Sequence, residues 1–285
     1  MSIKPYIQLA RPKHYLKNGL ILLPLIFGGS LFNKTYLMKA VYSFVAFSLA
    51  ASVVYVMNDL RDRELDIHHA TKKNRPIASG RVSVGRAIIF MGILTVGVGV
   101  FQYLTHSSLI SLGVLLAYVV INVAYSFGLK NIPIVDVTIL SLGFVLRVVY
   151  GGYTVGIDIS KWLYLAVLAF SFYLGLGKRR NEIIANGHKT RRVNKHYNQE
   201  FLDKNMYVCL GLTIVYYSLW AIDPSQKHAL MYLTIPLVIA IVMTYSLAIE
   251  KDNSDGDPVS VVLGNKALLG LVVLYAALVT SLVYI

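Results

Sequence analysis

Asn58–Gly80 reads NDLRDRELDIHHATKKNRPIASG and is a strongly charged run in a chain that is otherwise apolar. Its aspartates, Asp59, Asp62 and Asp66, are spaced i, i+3 and i+7, so they share one face of a helix. Three carboxylates on one face repel one another unless a cation neutralises them. Mg²⁺ takes oxygen ligands and is often shared between carboxylates and the phosphates of a substrate. The spacing therefore predicts a magnesium site on a helix, and the alternative is a solvated loop between two helices.

The remaining composition indicates a membrane protein. Of the 285 residues, 56% are hydrophobic and 14% are charged, with a mean hydropathy of +0.61. A soluble domain carries about 25% charged residues. Apolar runs of roughly 18 to 22 residues recur along the chain, and each can cross the hydrocarbon core of a bilayer. The lone cysteine, Cys209, cannot form an internal disulfide. We therefore expect a single transmembrane domain, 1-285.

We predict an all-α polytopic protein with nine transmembrane helices. Helix is the expected element because, in lipid, every backbone polar group must be satisfied within its own segment or in a closed barrel. The sequence lacks the ten-residue alternation of barrel strands. The predicted spans are Lys17–Phe32, Tyr36–Met57, Val84–Leu104, Ser107–Phe127, Ile132–Val155, Lys161–Gly177, Asn205–Ile222, His228–Ile249 and Asn265–Ile285.

The distribution of cationic residues predicts the orientation. The net charge is +13, which often suggests a nucleic-acid partner. In a membrane protein, however, Lys and Arg collect in cytoplasmic loops. With the N-terminus inside, 22 of the 27 Lys and Arg residues fall in segments predicted to be cytoplasmic, and four fall in outer segments. We expect a protein of the cytoplasmic (inner) membrane, with no nucleic-acid partner, whose N-terminus and active site face the cytoplasm.

The two longest loops, 59-86 and 178-204, are both predicted to be cytoplasmic. They follow the second and the sixth span, so they are four spans apart. That spacing predicts two similar halves around a central cavity open to the cytoplasmic side. A third polar loop, 251–258, is either a flexible connector or a segment that closes the site.

The cations after the aspartates indicate what the metal would serve. Lys72 and Arg75 follow the acidic run, and Asn58 precedes it. A diphosphate is bound well by a metal on some of its oxygens and by Lys and Arg on the others. We therefore assign Asn58, Lys72 and Arg75 to substrate phosphate binding.

A second charged cluster lies where the sixth span meets the cytoplasm. It consists of Lys178, Arg179, Arg180 and Glu182. Arg binds phosphate through two parallel hydrogen bonds and Lys adds a point charge, so the cluster predicts an anion site. Glu182 shares a helix face with Lys178. The alternative is an anchor for lipid headgroups.

Further candidate phosphate-binding residues are scattered. Lys130 follows the fourth span, and Arg147 lies within the fifth. An ionisable residue inside a span is a functional hypothesis by default, because exposing it to lipid is costly. A structural role for Arg147 stays open. Arg11 and Lys17 precede the first span, and we expect interfacial anchors there that also contact a phosphorylated lipid.

These motifs together resemble a known family. Asn58-Asp59-x-x-Asp62-x-x-x-Asp66, followed by Arg75-Pro76-Ile77-Ala78-Ser79-Gly80, resembles the UbiA superfamily of intramembrane prenyltransferases. The general family carries an acidic D-x-x-x-D after the sixth span, whereas this chain has Lys178-Arg179-Arg180-Asn181-Glu182. The basic variant, together with Gly256-Asp257-Pro258, resembles the decaprenyl-phosphate phosphoribosyltransferase branch.

The resemblance implies an enzyme that depends on Mg²⁺. It would transfer 5-phosphoribose from phosphoribosyl pyrophosphate to a polyprenyl phosphate, with Asp59, Asp62 and Asp66 as metal ligands and Lys178 as a further catalytic residue. Two alternatives remain. One is a prenyltransferase of the same fold that acts on an aromatic acceptor, and the other is a non-catalytic lipid-binding or transport protein. A homo-oligomer is also left open.

Overall fold

The computed structural model describes residues 3–68, 72–187, 192–223, 230–251 and 256–284. Within these ranges the chain forms α-helices and short 3₁₀ helices and contains no β-strand. The all-α prediction is confirmed. Residues 252–255, the middle of the predicted polar loop 251–258, lie outside the described ranges.

The described residues form twelve α-helices. Their bounds are α1 Lys4–Ala10, α2 Leu23–Phe27, α3 Lys34–Arg61, α4 Arg63–Ile67, α5 Val84–Leu104, α6 Leu109–Ser126, α7 Val135–Val155, α8 Lys161–Asn186, α9 Gln199–Ile222, α10 Ile235–Ile249, α11 Pro258–Gly264 and α12 Lys266–Tyr284. The 3₁₀ helices include Pro12–Leu22, Lys72–Asn74, Leu129–Asn131, Arg192–His196 and Met231–Thr234.

Seven of the described helices are long and apolar enough to cross a membrane, so this is an integral membrane protein. They are α3, α5, α6, α7, α9, the stretch Met231–Ile249 that contains α10, and α12. Each corresponds to a predicted span. The sixth predicted span lies in α8, a 26-residue helix whose C-terminal part carries the charged cluster. The count of nine spans and the cytoplasmic opening stay predictions.

The first predicted span, Lys17–Phe32, is not a single α-helix. The chain instead runs through the 3₁₀ helix Pro12–Leu22 into the short α2. Pro24 stands in the first turn of α2, where its missing N–H removes no intrahelical hydrogen bond. A hydropathy pattern cannot distinguish this arrangement from one continuous helix, because the side chains are equally apolar in both.

One compact unit comprises Met1–Ser126 and Leu146–Asp158. Helix α3 lies at its centre and packs against α1, α5, α6 and the 3₁₀ helix Pro12–Leu22. The aromatic rings of Phe47, Tyr118 and Tyr150 cluster around this helix and are buried. Burial of α3 among four neighbours allows acidic side chains at its C-terminal end to be held away from water.

The other compact unit comprises Phe127–Val145 and Ile159–Ile285. Helices α8 and α9 pack along each other, and α10 packs against α9 and α12. Gly177 permits a close approach at this point, because a Cβ there would lie 2.7 Å from Ile249 Cδ1 and 3.2 Å from Met206 Cε. The charged end of α8 therefore begins at a tightly packed position. The single domain 1-285 stays a prediction.

Candidate active site

The acidic motif spans the junction of α3 and α4. Helix α3 ends at Arg61, Asp62 caps it, and α4 begins at Arg63. The Asp62 N–H donates to the Asn58 carbonyl at 2.9 Å, and the Asp66 N–H donates to the Asp62 carbonyl at 2.8 Å. The chain therefore stays close to helical across the junction, and Asp59 and Asp66 remain neighbours as the spacing predicts.

Two of the three predicted metal ligands are buried and meet at one arginine. Asp59 and Asp66 are only 2% and 3% exposed. Arg75 Nη1 lies 3.1 Å from Asp59 Oδ1 and 2.7 Å from Asp66 Oδ2. The two carboxylate oxygens thus converge on a single nitrogen. Asp62 is half-buried beside them.

Arg11, which the sequence predicts to be an interfacial anchor, is a second guanidinium at this site. Its Nη2 donates to Asp59 Oδ1 at 2.6 Å, and its guanidinium lies 4.9 Å from the centre of the Tyr55 ring. Arg11 has a left-handed backbone with φ of 54° and joins α1 to the following 3₁₀ helix. The sequence indicates only that Arg11 precedes Pro12, where a helix is expected to end; it does not indicate the contact with Asp59.

Asn58 precedes Asp59 in α3 and is a further candidate oxygen ligand. Its Oδ1 is buried and accepts no hydrogen bond from the part of the chain that the structure describes. A buried acceptor without a donor is costly, and a cation would satisfy it. Two carboxylates and an amide oxygen are ligands that Mg²⁺ prefers, so Asn58, Asp59 and Asp66 fit this ion. No group of three or more His, Cys, Asp or Glu residues is arranged to hold a metal within the described ranges.

The loop after the acidic motif is built to present Arg75. Pro76 and Ile77 are buried, and the Val82 N–H donates to the Pro76 carbonyl at 2.9 Å. The Ser79 hydroxyl donates to the Arg75 carbonyl at 2.8 Å. Lys72, in contrast, is exposed in its 3₁₀ helix. The backbone of Arg75 is therefore fixed, while its side chain reaches the carboxylates.

Arg179 of the second charged cluster is fully buried, as is its partner Asp136. Its Nε donates to Asp136 Oδ2 at 2.6 Å, and its Nη1 donates to Glu182 Oε2 at 2.5 Å. Asp136 lies at the start of α7, so the guanidinium ties that helix to α8. The contacts of this predicted phosphate ligand are thus with protein carboxylates.

Tyr197 extends the Arg179 network and was not singled out from the sequence. Its hydroxyl donates to Asp136 Oδ1 at 2.6 Å and accepts from the Ile134 N–H at 2.6 Å. Burial, and then the hydrogen bond to Asp136, raise the pKa of Tyr197 above its ordinary value. The phenol therefore stays protonated and keeps donating to the carboxylate.

The other two cations of the cluster differ from Arg179 in exposure. Arg180 is close to Asp203 of α9, and its Nε donates to that carboxylate. Lys178 is half-buried. Gly256 lies against it, because a Cβ on Gly256 would stand 2.9 Å from Lys178 Cα. Gly256 has a φ of 67°, which favours glycine. The Gly256-Asp257-Pro258 turn therefore packs directly on the backbone of the basic motif.

Arg147 is buried in the first unit at 6% exposure. Its Nε donates to Asn18 Oδ1 at 2.7 Å, and its guanidinium lies 5.1 Å from the Phe47 ring centre and 5.0 Å from that of Tyr118. These contacts tie α7 to the N-terminal 3₁₀ helix and to α3. A structural role therefore has direct support, and a phosphate contact stays a prediction.

Lys17 and Lys130 are both half-buried in 3₁₀ helices, one in each compact unit. Within the first unit the structure brings together Asp59, Asp66 and Arg75, and Asn58 is the neighbour of Asp59 in the chain. Within the second it brings together Arg179 and Glu182.

Comparison with known proteins agrees with the motifs. A family model described as the UbiA prenyltransferase family matches residues 21–260. The decaprenyl-phosphate phosphoribosyltransferase of Corynebacterium glutamicum is 31% identical over 290 residues, which cover 98% of this chain and 86% of that protein. The protein of the same name from Mycolicibacterium smegmatis is 32% identical over 297 residues, covering 98% and 92%.

Solved structures share the fold. A UbiA homolog from Archaeoglobus fulgidus bound to GPP and Mg²⁺ superposes with a TM-score of 0.74 at 20% identity, covering 97% of this chain and 99% of that one. The same homolog bound to DMAPP and Mg²⁺ gives a TM-score of 0.73. At this identity the likeness establishes the helical fold alone.

Proposed function

This chain belongs to the UbiA prenyltransferase family, and from that membership we propose that it transfers 5-phosphoribose from phosphoribosyl pyrophosphate to a polyprenyl phosphate. The products are pyrophosphate and polyprenyl-phosphoryl-5-phosphoribose. The enzyme is a transferase of the membrane. We place its reaction on the cytoplasmic side because most cationic residues fall in the loops predicted to be cytoplasmic.

The observation that carries the proposal is the basic second motif in a chain with full-length phosphoribosyltransferase relatives. Those relatives are named decaprenyl-phosphate phosphoribosyltransferase and align with 98% of the chain. A prenyl diphosphate donor needs acids for a second metal at this position. Lys178, Arg179 and Arg180 stand there instead. Arg179 and Arg180 are paired with protein carboxylates, so Lys178 is the cation that we assign to a substrate that brings additional phosphate groups.

The acidic motif serves the leaving pyrophosphate. Asn58, Asp59 and Asp66 are the residues that would hold Mg²⁺, with Asp62 beside them, and the ion would neutralise the charge that develops on the departing oxygen. Support comes from the UbiA homolog solved with Mg²⁺ bound. Arg75 and Lys72 lie on the loop that follows and would bind the remaining phosphate oxygens.

The acceptor needs no strong general base. The bond between ribose C1 and the pyrophosphate oxygen breaks, and a bond forms between C1 and an oxygen of the lipid phosphate. Because that oxygen is already anionic, no proton has to be removed. What the acceptor needs is cations, and we assign this role to Lys178. Arg179 and Arg180 bind Asp136, Glu182 and Asp203, so they hold the end of α8 in place.

The test is the formation of a labelled lipid. Membranes that contain the protein are incubated with phosphoribosyl pyrophosphate labelled in the ribose, a polyprenyl phosphate and Mg²⁺, and the lipid is extracted. We expect label in the lipid fraction with wild type, and its loss with EDTA or with Asp66→Ala. Full activity in EDTA would refute the magnesium requirement. Absence of labelled lipid under every condition would refute the phosphoribosyl transfer.

A further inference from the structure

The guanidinium of Arg75 lies between the two buried carboxylates that are proposed to hold the metal. A single atom, Nη1, is 3.1 Å from Asp59 Oδ1 and 2.7 Å from Asp66 Oδ2. Both oxygens therefore point at the position of one nitrogen. An ion that bridged these two oxygens would need the space in which that nitrogen lies. Arginine and metal cannot occupy it together.

The charges lead to the same conclusion. Asp59 and Asp66 carry two negative charges, and they contact the two guanidinium groups of Arg11 and Arg75. The charges of these two carboxylates and two guanidinium groups thus sum to zero before any metal binds. A divalent cation placed beside two retained guanidinium groups would leave excess positive charge in a poorly solvated site, which is costly. Binding is easier if one guanidinium leaves.

Arg75 is the arginine that a bridging ion would displace, because its Nη1 contacts both carboxylates. Its side chain is 27% exposed and that of Arg11 is 25% exposed, so both have a route to solvent and it is the contact with both oxygens that distinguishes Arg75. Its backbone is held by the loop contacts of Ser79 and Val82, so withdrawal needs only side-chain rotation. Arg11 contacts Asp59 but not Asp66 in the ion pairs of this site, and its guanidinium lies against the Tyr55 ring.

We propose that Arg75 is a built-in competitor of the metal: its guanidinium closes the Asp59–Asp66 pair when no metal is bound and is displaced when a divalent cation binds. This inference rests on the magnesium site of the proposed function. The guanidinium of Arg75 would stabilise the two carboxylates in the absence of metal and would weaken the affinity of the site for a metal. Because coupling is reciprocal, metal binding releases Arg75 by the same factor as Arg75 weakens metal binding.

Mn²⁺ is a suitable probe because its binding can be titrated by electron paramagnetic resonance in the absence of substrates. The purified full-length protein is compared with Arg75→Gln and with Arg81→Gln. Arg81 lies in the same loop, and its replacement by Gln changes the net charge by the same amount. Its side chain donates to Gln8, Ser79 and the Asn74 carbonyl. We expect Arg75→Gln to bind Mn²⁺ about 10-fold tighter or more, within the usual range of such couplings, and Arg81→Gln to bind like wild type.

Two further measurements keep the inference falsifiable if Arg75→Gln folds poorly. Arg75→Lys keeps the charge and a single nitrogen that can lie between the two oxygens, so its Mn²⁺ affinity should stay close to that of wild type and should not rise as in Arg75→Gln. In wild type, Mn²⁺ should increase the modification of Arg75 by phenylglyoxal, quantified by mass spectrometry against Arg81 in the same sample. Modification that stays constant or falls would overturn the competition.

The outcomes separate this inference from the function on which it rests. If wild type binds Mn²⁺ and Arg75→Gln binds it equally or more weakly, the competition is wrong while the metal site stands. If wild type and all variants fail to bind Mn²⁺, the magnesium site and the competition both fall.

Discussion

At the scale of single residues, the buried aspartates Asp59, Asp66 and Asp136 are each paired with arginine. Arg11 and Arg75 contact Asp59, and Arg179 contacts Asp136. A guanidinium offers several donors in one plane and remains charged when it is buried. Arg179 uses this property to bind Asp136 and Glu182 at once. Lysine could not make both contacts with a compact ammonium group.

We predict that Arg179→Gln destabilises the protein strongly. The substitution leaves Asp136 buried without its charged partner, and breaking a buried pair costs about 3–5 kcal/mol. The readout is thermal unfolding in detergent. Lys204→Gln is the control, because Lys204 is 73% exposed in its pair with Glu200 and such a pair contributes about 1 kcal/mol or less. Equal melting temperatures for the two variants would contradict the structural role of Arg179.

We predict that Lys178→Ala weakens the binding of one phosphate substrate. A charged hydrogen bond contributes about 1.5–3 kcal/mol, which corresponds to about one to two decades of affinity. The apparent KM for phosphoribosyl pyrophosphate or for the polyprenyl phosphate should rise by that order, or kcat should fall if the contact tightens in the transition state. Lys195→Ala, an exposed cation after α8, should leave both unchanged. Equal kinetics for the two variants would remove Lys178 from the site.

Sequence alone predicted the residues whose relationship is local. Asp59, Asp66 and Arg75 are close along the chain, and the spacing indicated a shared site that the structure assembles. The sequence could not predict the ion pair between Asp136 and Arg179, because those residues are 43 positions apart. The basic motif therefore indicated three phosphate ligands, although two of its cations contact protein carboxylates.

At the scale of elements, composition predicted the long helices well. The conformation of the N-terminal segment depends instead on its packing. The predicted span Lys17–Phe32 is divided into a 3₁₀ helix and α2. Gly151 of α7 lies so close to this segment that a Cβ would stand 2.1 Å from the Ile21 carbonyl oxygen. The contact is between backbones, so no hydropathy pattern contains it.

We predict that Gly151→Ala disrupts the packing of α7 on the N-terminal 3₁₀ helix. The added methyl group cannot fit beside the Ile21 carbonyl without a backbone shift, and overpacking of this kind costs about 1–3 kcal/mol or more. Gly99→Ala in α5 is the matched control because nothing lies within 4 Å of a Cβ there. Thermal unfolding in detergent should show a lower midpoint for Gly151→Ala only. A shift of the same size in both would contradict the close approach.

At the scale of the whole molecule, the asymmetric distribution of Lys and Arg predicts the orientation in the membrane. Of the 27 cationic residues, 22 fall in segments predicted to be cytoplasmic. The acidic motif and the basic motif both border such segments. Placing both on the cytoplasmic side gives them access to a soluble, highly charged donor, which cannot cross a bilayer unaided.

The orientation can be tested by labelling single cysteines in a Cys209→Ser background. Asp158 and Ala185 are exposed near opposite ends of α8. A membrane-impermeant maleimide added to intact cells should label Asp158→Cys and should label Ala185→Cys only after lysis. The reverse pattern would invert the topology and place the active site outside.

The identity of the donor distinguishes phosphoribosyl transfer from prenyl transfer. Purified protein with Mg²⁺ is offered phosphoribosyl pyrophosphate with a polyprenyl phosphate, and separately geranylgeranyl or a longer prenyl diphosphate with an aromatic acid, and lipid products are identified by mass spectrometry. We predict polyprenyl-phosphoryl-5-phosphoribose in the first reaction and no product in the second, because the basic motif of α8 replaces the acids that a prenyl diphosphate donor needs. A prenylated aromatic product, with the ribosyl donor inert, would contradict the account.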